Sequence, residues 1–458
     1  LLFKAARAFR DGLSAVLDTQ FVLALLEKGK YVLQTATYGE FSTLIHQRQQ
    51  GRRVPAEVSI EVTHRCPLEC QHCYNNLPMN DFHARWQEMT FAEHVRLLDE
   101  LAGLGCLWIL YTGGEIFARK DFLDIYTEAK KRGFLVTLFT NGTLITPRIA
   151  DHLAEYRPFS IEITLYGATR ETYEALTHIP GSFDRCMRAV HLLKERGLPL
   201  KLKTVPTTIN VHEVYDMKHF AEEEIGVEFK FDPLVNPRTD CSQSPLSVRL
   251  SPEQAVDLEF RDPVRKAEYL KLVEAELTSQ HGPQDSQKYT CGGGQNGCAV
   301  DPTGRMTICV ISHQDGYNLR DTSFADGWNG RLREIRESPR TRQTICSRCQ
   351  IQTLCGMCPA NGELESGDAE IPVDFLCQVA HLRAYTLGVS VPEHGDCPCC
   401  ASGVHFSHLQ ESAVRLKESS SNAEKIIPLP YPNSSLPVLQ SGGGCSPGGC
   451  SSCGAHLR

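Results

Sequence analysis

"VTHRCPLECQHCYNN", residues 62 to 76, places Cys66, Cys70 and Cys73 directly after the β-rich run "VSIEVTH" at 58 to 64. A tetrahedral sulfur site wants four ligands and a disulfide wants two, so three cysteines leave a position to fill. Thiolates are soft ligands that favour zinc or iron–sulfur clusters. Zinc would recruit a fourth residue, and His64 or His72 is close enough in sequence to serve. An iron–sulfur cluster held by three thiolates would leave one iron open to another molecule. Three buried, unligated thiols at this spacing would be the plain alternative.

The chain beyond this loop decides the fold. "LWILYTG" (107–113), "LVTLFTNG" (135–142), "FSIEITLYG" (159–167), "LKLKTV" (200–205) and "VEFKFDPL" (227–234) are each continuously apolar or strictly alternating, as strands covered by helices should be. Helical patterns separate them. Thr90 and Glu93 form a capping-box signature before "FAEHVRLLDELAGLG", and "FLDIYTEAKKRG" and "FDRCMRAVHLLKERG" end in basic residues and glycine. Six βα units in succession predict a parallel sheet with crossover helices. Periodicity does not choose between a barrel and an open sheet. In either, ligands collect at the carboxyl ends of the strands, where the cysteine loop sits.

Composition bounds the rest. The chain has 458 residues, 41% hydrophobic and 22% charged, with a net charge of −8, which is ordinary globular composition without a nucleic-acid footprint. The longest aliphatic run near the start, "FVLALL" at 21 to 26, is far short of a membrane span, and no secretory pattern precedes it. Twenty cysteines in tight clusters with long gaps fit ligand sites in a reducing compartment, so a cytoplasmic location is expected. Four regions are predicted: an N-terminal helical segment (1–55), a βα region (56–280), a cysteine-rich region (281–394), and a Cys/Ser/Pro/Gly-rich tail (395–458) expected to be flexible.

A second array lies beyond the sheet: Cys291, Cys298, Cys309, Cys346, Cys349, Cys355, Cys358 and Cys377. Eight thiolates supply two complete sites without borrowing a ligand. Long gaps between them are no objection, since each doubling of loop length adds only about 0.6 kcal/mol of closure entropy. Two structural zinc sites are the alternative.

The segment "CPLECQHC" resembles the signature of the radical S-adenosylmethionine (SAM) enzymes, CxxxCxxC after the first strand, with His72 in the place of their usual aromatic residue. The resemblance implies a partial (β/α)6 TIM-type barrel in which SAM chelates the open iron of a 4Fe–4S cluster. It further implies reductive cleavage of SAM to a 5′-deoxyadenosyl radical. By strand order it assigns cofactor-binding roles to His72, Tyr74, Gly113, Gly114 and Glu115 of "TGGE", Asn141 of "FTNG", Thr164 of "ITLYG", and Lys203. In "ITLYG", Thr164 and Tyr166 stand where the family has Ser and Asp, so a hydroxyl is kept and a carboxylate is not.

The later cysteines resemble the SPASM extension, which holds two auxiliary 4Fe–4S clusters; the last interval of "CSRCQIQTLCGMC" is one residue shorter than the family's. Family order implies Cys291, Cys298, Cys309 and Cys358 for one cluster, and Cys346, Cys349, Cys355 and Cys377 for the other. The expected function is hydrogen abstraction from a peptide or protein, giving crosslinking, oxidation or epimerisation, with an electron donor such as flavodoxin or ferredoxin as partner. The sixth strand ends in Asp232, a candidate base or a loop cap. A small-molecule or tetrapyrrole substrate, and a metal-binding or electron-transfer protein without SAM chemistry, are the alternatives. "TGGE" speaks against the last, since an electron carrier has no need of an amino-acid-binding strand end.

Overall fold

The computed structural model describes residues 45, 52–278, 288–312 and 316–423. Nearly all of the expected N-terminal helical segment, and Cys445, Cys450 and Cys453, lie outside the described residues.

Six parallel strands succeed one another across the sheet in chain order: β1 (Glu57–Glu61), β2 (Trp108–Thr112), β3 (Leu135–Thr140), β4 (Ser160–Thr164), β5 (Leu200–Thr204) and β6 (Phe229–Phe231). The crossovers carry α1 (Phe91–Gly103), α2 (Phe122–Lys131), α3 (Pro147–Glu155), α4 (Arg170–Thr177) and α5 (Ser182–Glu195). The Thr90–Glu93 capping box is formed in both directions, which fixes where α1 starts. Pro147 opens α3, where its missing N–H costs nothing.

Register sorts the side chains into two faces, because paired residues of a parallel ladder point the same way. Val58, Ile60, Ile109, Val136, Leu138 and Ile161 are fully or almost fully buried under the helices. Each such side chain stabilises the fold by roughly 1.5–3 kcal/mol relative to exposure. The inner face is polar. Phe139 pairs with Glu162, Thr164 with Lys203, and Lys203 with Lys230. The Glu162 carboxylate lies 3.2 Å from Lys203 Nζ, so opposite charges meet inside the sheet's curve. The sheet is thus a barrel segment with a polar lumen.

The edge beyond β1 does not stay open. β7 (Gly297–Val300) pairs with β1 in parallel, and β8 (Arg305–Thr307) and β9 (Tyr317–Asn318) continue antiparallel, giving a nine-stranded sheet. The cysteine-rich region is therefore grafted onto the sheet through its own strand. Beyond it, α6 (Pro252–Phe260) packs with α7 (Asp374–Thr386) and α8 (Phe406–Ala423).

The flexible tail expected from 395 onward is corrected for its first part. Cys397, Cys399 and Cys400 are 2%, 0% and 1% exposed, and α8 buries Leu409, Ala413 and Leu416 in the same cluster as α7. Those positions fall on one helical face, which supplies the apolar stripe that composition alone obscured.

Candidate active site

Cys66, Cys70 and Cys73 gather at the carboxyl end of β1 in one cluster with Leu68, Tyr166, Leu176, Ile179 and Ile209. Burial is the largest cause that pushes all three thiols above their ordinary range, helped by Glu115 at Cys66, by the neighbouring sulfurs at Cys70 and by Glu61 at Cys73. A cation would reverse that, and its binding would release protons. The surroundings are built for sulfur anions. Asn141 Nδ2 donates to Cys66 Sγ at 3.4 Å, the Tyr166 hydroxyl reaches Cys70, and the backbone N–H groups of Asn75 and Asn76 face Cys73. The donor set fits a three-thiolate iron–sulfur cluster with an open iron.

The loop is held by its neighbour strand. Gly114 N donates to Thr63 O at 2.7 Å and Glu115 N to Arg65 O at 3.0 Å. The approach is so close that a Cβ on Gly113 would stand 2.2 Å from Thr63 O, and one on Gly114 would stand 2.4 Å from His64 O. Gly113 also has φ +126°, a conformation that side chains disfavour. The glycines of "TGGE" are required first by this backbone contact.

Glu115 is 1% exposed and turned inward. Its carboxylate accepts Thr140 Oγ1 at 2.7 Å and the Asn141 N–H at 2.8 Å, tying the ends of β2 and β3 together. Burial nonetheless raises its pKa to about 7. At the end of β1, Glu61 accepts from Asn75 Nδ2 at 2.5 Å and from the Tyr74 hydroxyl at 3.2 Å. His72 sits against Tyr166 with ring centroids 5.5 Å apart, burial lowers its pKa to about 4, and its Nδ1 is buried without a hydrogen-bond partner.

Across the lumen, Lys203 lies over the Phe139 ring beside Glu162. Burial lowers its pKa to about 8 against the pull of Glu162. Thr164 ends β4 in register with Lys203. Asp232 comes directly after β6, its N–H bonded to Thr204 O and its Oδ1 accepting from Leu234 N at 3.1 Å, a loop-capping contact. Burial raises its carboxyl to about 6, with Arg265 opposing.

The auxiliary cysteines divide differently from expectation. Tyr289 feels the sulfurs of Cys291, Cys309 and Cys358 together, and Cys309 and Cys358 share a cluster with Ala299. Cys298 does not join them. It precedes Ala299 on β7, so alternation turns it to the opposite face, into the helix-covered core. Its assignment as a ligand of that set is corrected. Cys241, after β6, packs in the same cluster as Cys309 and Cys358. It was missed because it belongs to no spaced motif. Cys346, Cys349 and Cys355 lie near one another, while Cys377 Sγ is 3.8 Å from Cys397 Sγ.

Comparison with known proteins agrees with this geometry. Residues 60–222 match the family model described as the Radical SAM superfamily. The AdoMet-dependent heme synthase of Nitratidesulfovibrio vulgaris is 26% identical over 69% of this chain and 91% of its own length. The mycofactocin maturase MftC of Mycobacterium tuberculosis is 28% identical over 69% of this chain and 81% of its own. Streptococcus suis SuiB bound to S-adenosylmethionine superposes with a TM-score of 0.53 at 16% identity, over 78% of this chain and 88% of that one. SuiB has also been solved bound to the precursor peptide SuiA. Among the described residues no helix is long and apolar enough to cross a membrane.

Proposed function

Since this chain is a radical SAM enzyme of the SPASM type, we propose that it abstracts hydrogen from a peptide or protein substrate, acting as a maturase. The observation that carries the chemistry is the three-thiolate loop with donors aimed at its sulfurs. Cys66, Cys70 and Cys73 would hold the iron–sulfur cluster, which together with bound SAM would supply the reductive chemistry that yields a 5′-deoxyadenosyl radical. In this reading the Gly113–Glu115 strand end receives the SAM ammonium and Lys203 its carboxylate. His72, Tyr74, Asn141 and Thr164 complete the pocket. Lys203 keeps its proton at neutral pH because Glu162 offsets part of its burial. Asp232 is the proposed base at the lumen's rim, with a carboxyl that burial raises to about 6.

The same reading gives two auxiliary clusters. One is held by Cys291, Cys309 and Cys358 with Cys241 replacing Cys298; the other by Cys346, Cys349, Cys355 and Cys377. An external donor such as flavodoxin or ferredoxin would feed them. The peptide reading is supported by a relative named for peptide chemistry, the PqqA peptide cyclase of Ruegeria pomeroyi, 32% identical over 37% of this chain and 44% of its own length, and by the maturase name of MftC.

A tetrapyrrole substrate is the second reading, favoured by the coverage of the heme synthase. Anaerobic enzyme, given SAM and reductant, should release 5′-deoxyadenosine. Mass spectrometry should then find a mass change in peptides encoded beside the gene. Turnover of an iron porphyrin with unmodified peptides would overturn the peptide reading.

A further inference from the structure

A second candidate metal set borders the later cysteine array, with Cys377 Sγ 3.8 Å from Cys397 Sγ and 3.6 Å from His381 Nδ1. His381 on α7, His394 after it, and Cys397 and Cys400 of "CPCC" bring one ligand atom each to within 4.8 Å of one another, all buried. Cys397 Sγ and Cys400 Sγ are each 3.7 Å from His381 Nε2, and His394 Nδ1 is 3.4 Å from Cys400 Sγ. A tetrahedral zinc with Zn–S of about 2.3 Å and Zn–N of about 2.0–2.1 Å puts its sulfur and nitrogen ligands about 3.5 Å apart. A cluster would spread its thiolates over separate irons, at wider spacing. The residues stand at the separation of one ion.

We propose that His381, His394, Cys397 and Cys400 bind a single structural zinc ion. His381 Nδ1 lies 2.8 Å from the Cys377 carbonyl, which only accepts, so Nδ1 carries the proton and Nε2 is left facing the two sulfurs. A carbonyl orienting a ligand histidine through its other nitrogen is the usual support of a zinc site. The His394 ring lies nearly parallel to His381, with centroids 5.6 Å apart. Its Nδ1 is 2.9 Å from the Pro392 carbonyl, so metal binding there displaces that proton. Cys397 and Cys400 form a CxxC chelate, a spacing zinc sites use. With His381 and His394 at 1% and 5% exposure, no position is left for water or substrate. The ion pins the segment before α8 to α7. A neighbouring set, Cys377, His381, Cys397 and Cys399, shares two of these ligands. The CxxC bite and the stacked imidazoles favour the first.

The inference stands apart from the radical reading, because its readout is zinc and that reading's is iron, sulfide and 5′-deoxyadenosine. Metal analysis of the anaerobically purified full chain should give one zinc per chain. X-ray absorption at the zinc edge should fit two sulfurs and two nitrogens. Cys400→Ser and His394→Ala should lose the zinc and keep iron and sulfide, while Cys399→Ser keeps all three. His394→Cys should retain zinc, since cysteine is also a ligand, which separates lost coordination from failed folding. Wild type without zinc, loss of iron and sulfide in Cys400→Ser, or loss of zinc in Cys399→Ser with retention in His394→Ala would each overturn the proposal.

Discussion

Replacing Gly114 by alanine tests whether the second strand holds the cysteine loop in place. The added Cβ would lie 2.4 Å from His64 O and 2.6 Å from both Arg65 O and His64 C, all backbone atoms with no side chain to swing away. Ordinary contact begins near 3.4 Å, so the two segments must part by about 1 Å. That stretches the Gly114 N to Thr63 O and Glu115 N to Arg65 O bonds, now 2.7 and 3.0 Å, past useful length. Two lost bonds cost about 1–3 kcal/mol, and forced overpacking costs about 1–3 kcal/mol more. The displaced stretch runs directly into Cys66. A misplacement of about 1 Å can lower a rate on the order of 10²-fold. The assay is anaerobic 5′-deoxyadenosine release per iron bound, with thermal unfolding run in parallel. A Gly114→Ala enzyme with wild-type iron content and a rate within about twofold of wild type would refute the argument.

Three further outcomes are expected. Asn141→Leu removes a donor from Cys66 Sγ, so the reduced, more negative cluster loses about 1 kcal/mol. Potentiometric EPR should show a potential lower by roughly 40 mV for a one-electron couple. Burial raises the Asp232 carboxyl to about 6, so product formation should fall below that pH as the base is protonated, and Asp232→Asn should abolish the acid limb. The linked stability has the opposite sense. A carboxyl pKa raised on folding stabilises below its ordinary value, and that contribution is lost as pH climbs through about 6, so Asp232→Asn should unfold at higher temperature than wild type at pH 8. Glu259→Gln leaves the 1%-exposed Arg383 side chain without its bidentate partner, now at 2.7 and 2.8 Å. The expected loss is about 3–5 kcal/mol, read as a lowered denaturant midpoint.

The sheet was legible because its signal is local. Each strand announces itself in five or so residues, and Thr90 with Glu93 marks a helix start that the structure forms as expected. The cysteine loop was legible because its ligands lie in one loop. What could not be read depends on direction and on distance along the chain. Cys298 fits the spacing of a ligand, yet one step of strand alternation points it into the helix-covered core. Cys241 belongs to no motif and reaches Cys309 and Cys358 only through the fold. The helix at 406–423 was obscured by the Ser-, Pro- and Gly-rich sequence after it, and its apolar face makes sense only against α7. Glu115, assigned to the cofactor by its place in "TGGE", also ties Thr140 and Asn141, a contact set by a neighbour strand 25 residues away.

These non-local contacts make the lumen and the cysteine-rich region one mechanical unit. β7 continues the barrel sheet from the edge of β1, the strand that leads into Cys66. On the other flank, Glu259 of α6 holds Arg383 of α7, and Arg383 Nη1 donates to the Leu354 carbonyl beside Cys355. Arg265 joins the same carboxylate and lies over Phe231, immediately before Asp232. A change at the buried Glu259 therefore bears on the proposed base and on the later cysteines at once. Because a buried charge network of this kind costs several kcal/mol to break, rigid placement of the two regions is the default, and substrate must reach the lumen without prying them apart.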